Sequence, residues 1–118
     1  MPKTVTDLER TVNSSLTTAI KKSEINFDQL FLDTDVENLI SVILFLKTNG
    51  KCKFKQLIDI TAVDYPKREN RFKIIYLMLS HEYNLRITVN LFVDENVLIP
   101  SIVKIFPSAN WMEREVFD

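Results

Sequence analysis

Apolar residues recur at two different spacings along this chain, and the change of spacing divides it. Near the start, Leu8, Val12, Leu16, Ala19 and Ile20 fall at helical intervals and predict a helix over residues 6–22. Thr6 and Glu9 read as its capping box. Its serines and β-branched residues are poor helix formers, so packing has to hold it. A strand is expected over residues 25–32, with Ile25, Phe27 and Phe31 on one face. A second helix is expected over residues 35–49, opened by a Thr34/Glu37 capping box. Val36, Leu39, Ile40, Ile43 and Leu44 form its apolar stripe, widened by Phe45 and Leu46. Lys47 and Lys51 suit the negative end of its dipole, and Gly50 suits a left-handed position just past its end.

From there the spacing becomes two. A helical turn over residues 54–57 leads into a strand over 58–65, with Ile58, Ile60 and Ala62 on one side and Asp59, Thr61 and Val63 on the other. A proline-started turn follows at 66–70. Residues 72–80 alternate Phe72, Ile74, Tyr76 and Met78 with Ile75, Leu77 and Leu79. Being apolar on both sides, this segment reads as a central strand covered in part on each face. After a turn at 81–84, Leu85, Ile87, Val89 and Leu91 alternate with Arg86, Thr88, Asn90 and Phe92, as in a strand with one face in solvent. These last strands form an antiparallel meander, closed by a turn at 93–96. Pro100 then starts a short helix over 101–106, and Asn110 caps a final helix beginning at Trp111, with Glu113 at the capping-box position. The order α-β-α-β-β-β-α-α is that of an α+β fold: two layers, helices on a mostly antiparallel mixed sheet, one domain over residues 1–118.

Composition narrows the functional classes. Fifteen basic and 16 acidic residues leave a formal charge of -1, which argues against a broad footprint for nucleic acid or anionic lipid. A single glycine cannot build a phosphate-cradling loop or a dinucleotide fingerprint. A single cysteine, Cys52, supports no disulfide, structural zinc or iron–sulfur cluster, and reads as a core filler. No apolar run is long enough to span a membrane, and the first residues carry acids without the apolar core of a signal peptide.

Candidate chemistry is sparse. His81, the lone histidine, falls in a turn and has no evident partners. Asp59 and Asp64 are five apart in a strand and face opposite ways. The C-terminal stretch holds the remaining signal: Trp111, Met112, Glu113, Arg114, Glu115, Phe117 and Asp118. Glu115 and Asp118 share a helix face, and Arg114 can pair with Asp118. Read as chemistry, Glu113, Glu115 and Asp118 make a metal-dependent enzyme. Read as recognition, Trp111, Met112, Arg114, Glu115 and Asp118 make a partner interface: Trp111, Met112 and Arg114, with Phe117 beside them, are residue types enriched where proteins dock, and the charges give specificity. A third reading uses Phe72 and Tyr76 as stacking platforms for RNA.

Several stretches resemble the 30-kDa subunit family of respiratory NADH:quinone oxidoreductase (complex I). They are Phe54-x-x-Leu57, Asp59-Ile-Thr-Ala-Val-Asp-Tyr-Pro66, the run from Arg71 to Ser80, Arg86-Ile-Thr-Val, Ile99-Pro-Ser-Ile-Val, and the closing Pro107-x-Ala-Asn-Trp-x-Glu-Arg-Glu-x-x-Asp118. The first 53 residues match in architecture only. Family members continue past this aspartate, so the resemblance implies a C-terminally shortened member. It further implies a structural and assembly subunit with no catalytic, cofactor or metal site of its own. The complex's FMN, iron–sulfur clusters, NADH and quinone sites would lie on other subunits. The expected place is the hydrophilic arm, peripheral on the cytoplasmic side of a bacterial inner membrane or the matrix side of the mitochondrial one, against the large quinone-site (49-kDa type) subunit. The alternatives are a stand-alone protein-binding α+β module and the metal-dependent enzyme.

Overall fold

The computed structural model describes residues 4–67, 72–94 and 97–117. Asp118, Arg71 and much of the expected turns at 66–70 and 93–96 lie outside the described residues. The order is α1 (Val5–Ser15), β1 (Lys22–Asn26), β2 (Gln29–Thr34), α2 (Leu39–Thr48), β3 (Gln56–Asp64), β4 (Phe72–Ser80), β5 (Leu85–Val93) and α3 (Ala109–Phe117). The strands form one sheet in the order β1-β2-β5-β4-β3. All neighbours are antiparallel except β2 and β5, which run parallel. The α+β class and the mostly antiparallel mixed sheet are as the sequence predicts, and so is the β3-β4-β5 meander.

The helices pack on one side of the sheet. Leu8 and Val12 of α1 and Leu39, Val42, Ile43 and Leu46 of α2 are sealed against Leu30, Leu32, Tyr76, Met78, Ile87, Val89 and Leu91 of the strands. Cys52 lies buried in the same core, and His81 is an exposed turn residue whose Nε2 meets Gln56 Oε1. The RNA-platform alternative, which the balanced charge already disfavours, loses Tyr76, wholly buried in the core beneath the helices.

Local chemistry corrects several boundaries. The helix predicted over 6–22 stops at Ser15. The Ser14 hydroxyl bonds Thr11 O and the Thr17 hydroxyl bonds Asn13 O, competing for the last-turn carbonyls. Its N-cap is Thr4, whose Oγ1 accepts from the Asp7 N–H at 3.1 Å, not Thr6. Glu9 instead accepts from Ser23 on β1. The strand predicted over 25–32 is a hairpin, turned at Phe27 and Asp28, both in the left-handed region (φ 52° and 60°). Such a turn usually announces itself with Asn or Gly, and this one does not.

Thr34 caps nothing: its hydroxyl is buried and donates to Ala19 O at 2.8 Å. Asp35 accepts from the Asn38 N–H instead, and α2 begins only at Leu39. Ile40 and Leu44, expected in the buried stripe, are exposed, because α2 is apolar around most of its circumference and only one side meets the sheet. Gly50 is not left-handed; Lys53 takes positive φ (53°). The Gly50 carbonyl accepts from the Tyr83 hydroxyl at 2.7 Å. No helical turn forms at 54–57, where Gln56 already begins β3. A register shift between Leu57 and Asp59 puts Leu57 and Ile60 on the buried side and leaves Ile58 exposed. In place of a helix over 101–106 there is one turn, closed by the Phe106 N–H on Ile102 O. The order α-β-α-β-β-β-α-α thus gains a strand near its start and loses a helix near its end.

Candidate functional site

The C-terminal helix is held by a carboxylate turned inward. Glu113 is 9% exposed. One of its oxygens accepts from the Ser101 hydroxyl at 2.7 Å and the other from the Ile102 N–H at 2.8 Å. The sequence-based reading of Glu113 as a local cap fails, since α3 starts at Ala109, two residues before Trp111. The N–H groups of Ala109 and Asn110 bond back to Phe106 and Pro107, so Asn110 sits inside the helix and does not cap it. Glu113 caps a different segment, the turn at 101–106. Charge-assisted bonds of this kind to a buried N–H are each worth about 1.5–3 kcal/mol. Lys47 secures the same turn from α2, with Nζ bonded to Ile105 O and 5.1 Å from the Phe106 ring centroid.

With Glu113 and Ala109 facing the core, the opposite side of α3 is committed to solvent. Trp111 is 68% exposed, and Arg114 and Glu115 are exposed beside it. Arg114 forms no ion pair with the described residues. Met112 is half-buried and packs on the core. The structure therefore brings Trp111, Arg114 and Glu115 onto one outward face and turns Met112 toward the interior. Asp118 falls outside the described residues. Glu113 and Glu115 point to opposite sides of the helix and share no site. Among the described residues, no three His, Cys, Asp or Glu side chains come together as metal ligands.

Sequence reasoning missed a neighbouring feature. An open apolar cleft of ≈ 420 Å³ lies beside α3, lined by Phe72, Ile74, Val93, Leu98, Ile99 and Val116. Leu98 at its rim is 91% exposed. Val97, Leu98 and Ile99 are an apolar run too short to carry a periodicity, so only the fold reveals which of them is left exposed. Beneath α3 lies the Tyr76 phenol, which has no hydrogen-bond partner among the described residues. Burial pushes its pKa up, and the Glu113 carboxylate adds to the rise.

Comparison with known proteins bears on what this surface is for. Residues 32–118 match the family described as the 30-kDa subunit of respiratory-chain NADH dehydrogenase. The chain is similar to an NADH-quinone oxidoreductase subunit of Chelativorans sp. (strain BNC1), with 36% identity over all of this chain and 59% of the relative. It is 48% identical to the like-named subunit of Dinoroseobacter shibae, over 81% of this chain and 45% of the relative. The chain thus spans about half the length of these relatives. Its fold also resembles a chain in the structure of the membrane-bound sulfane sulfur reductase, an archaeal respiratory membrane complex. That likeness has a TM-score of 0.75 at 21% identity, over 92% of this chain and 65% of the other.

Proposed function

The chain belongs to the family of the 30-kDa subunit of respiratory-chain NADH dehydrogenase, and from that premise we propose that it is a structural and assembly subunit of an NADH:quinone oxidoreductase. In this reading it contributes no catalytic group. FMN, the iron–sulfur clusters, NADH and quinone are bound by other subunits of the complex, which transfers electrons from NADH to quinone. The chain sits in the hydrophilic arm, peripheral to the membrane on the cytoplasmic or matrix side, and packs against the large quinone-site subunit of the 49-kDa type. No helix among the described residues is long and apolar enough to cross a membrane.

The observation that carries this reading is the outward face of α3. A tryptophan 68% exposed beside an exposed arginine is a pairing of residue types enriched at the centres of protein–protein contacts. Glu113 fixes the presentation of that face by anchoring the helix from beneath. Trp111→Ala and Arg114→Ala should lower incorporation into the complex several-fold and change the chain's own stability by less than about 0.5 kcal/mol. Native electrophoresis of membranes, paired with thermal melts of the chain, reads both quantities. Full assembly with either variant would sink the α3 contact.

A further inference from the structure

The two edges of the sheet are built differently. β1, at one end of the strand order, has five residues, Lys22-Ser-Glu-Ile-Asn26, and is polar at all but one of them. β3, at the other end, has nine. Within it, Leu57-Ile-Asp-Ile-Thr-Ala-Val63 is apolar or β-branched at every position except Asp59. Among the described residues no strand lies beyond β3, so one rim of its backbone has no ladder partner. Ile58 and Val63 are each 36% exposed beside that rim. A long apolar strand with an open rim is a template for pairing with another chain, whereas a short, charged one such as β1 is poor at it.

Asp59 interrupts the apolar run, and its placement is more specific than that. The register slips between Leu57 and Asp59, which makes Ile58 the extra residue of a bulge. In an antiparallel pair, backbone amides point alternately toward the partner strand and away from it. The Ile60 amide donates to Asp59 Oδ1 at 2.9 Å. An amide engaged by a side chain of its own strand is one turned from β4 toward the open rim. The carboxylate thus takes the first outward donor past the bulge, where an incoming strand would start its ladder. It also sets a charge there. Asp59 forms no ion pair with the described residues, so an incoming strand would have to strip its water without supplying a cation, which is costly.

We propose that Asp59 guards this edge: its carboxylate occupies the Ile60 amide and keeps β3 from pairing with β3 of a second copy. A second copy is the relevant partner because two identical strands laid antiparallel are self-complementary, and their two-fold contact closes after two chains. This gives a role to a carboxylate that the sequence leaves without a partner for chemistry. The inference concerns the association of the chain with itself and does not depend on the α3 contact.

The test is the oligomeric state of the whole chain. Sedimentation velocity over a concentration series should find the unaltered chain monomeric. Asp59→Thr, which suits a strand and lacks the carboxylate, should form dimers, with self-association strengthened at least about tenfold. Amide hydrogen exchange locates the contact: Ile60 and Ala62 should gain protection in the dimer, and β1 should not change. Asp59→Asn keeps an acceptor for the Ile60 amide and should associate more weakly than Asp59→Thr. Glu24→Thr, the same loss of charge on the short edge, should stay monomeric. An Asp59→Thr chain that melts like the unaltered one and remains monomeric overturns the guard. Association in which β3 gains no protection overturns it too, since the variant would then be aggregating from a loosened state. Equal association of Glu24→Thr makes net charge the cause, and equal association of Asp59→Asn removes the hydrogen bond from the account; either refutes the proposal. So do dimers of the unaltered chain joined through β3.

Discussion

On the helix side of the sheet, alternate residues of β4 from Ile74 to Ser80 are sealed from solvent, while on the other side Lys73, Ile75, Leu77 and Leu79 of the same strand are each only half covered. Both sets are drawn from one apolar run, yet three helices pack on the first face and no described helix packs on the second. A soluble sheet with one wet face normally alternates apolar with polar residues. β4 does not, so the outer apolar row is more than this fold requires. β5 repeats the lesson in polar form. Thr88 and Asn90 are buried on the outer side although no helix covers them, because β5 lies in the middle of the sheet between β2 and β4. The inner face carries the stability of the fold, and the outer face keeps apolar area that no described helix covers.

The largest test of that contrast is a matched pair of truncations. Met78→Ala, on the sealed face, should cost about 2–5 kcal/mol in urea unfolding, through lost burial and the cavity left behind. Leu77→Ala, its neighbour on the open face, should cost no more than about 1 kcal/mol. Equal costs would mean that the outer face is as tightly packed as the inner one. A smaller effect sharpens the account of the inner face. Because the Tyr76 phenol's pKa is raised by burial, the folded chain keeps a proton that the unfolded chain releases near about pH 10. The chain should therefore hold its full stability below that pH and lose up to about 1.4 kcal/mol per pH unit above it. Tyr76→Phe should flatten the alkaline decline. An unchanged profile in that variant would place the titrating group elsewhere.

The meander was legible because β5 alternates over nine residues and β4 is an apolar run of similar length bounded by turn residues, both long enough to stand clear of chance. What stayed hidden follows a physical pattern. The β1–β2 hairpin turns on Phe27, a bulky residue with φ 52° that no turn preference would nominate. The shift between Leu57 and Asp59 displaces the period by one residue, turning Leu57 inward and Ile58 outward while Ile60 and Ala62 keep a common face. Thr34 and Glu113 both sit where a local cap is expected, and both bond instead to backbone distant in sequence. Short-range rules cannot see such partners. At the candidate site, Trp111, Arg114 and Glu115 were readable from residue type and helical spacing. The inward turn of Met112, the exposed Leu98 and the Asn90–Asp33 hydrogen bond across the sheet were not, since each depends on which way a face is turned.

The parallel seam between β2 and β5 has a consequence for how the molecule comes together. Asp33 and Asn90 are partners across 57 residues of chain, whereas β3, β4 and β5 follow one another through short connections. Closing the long loop forfeits more chain entropy than adding the next strand of a meander, so the hairpin joins a sheet that already exists. The first third of the chain is then the part that opens first under native conditions. Amide hydrogen exchange should be faster along β1 and β2 than along β4 and β5, and equal protection on both sides of the seam would contradict that order.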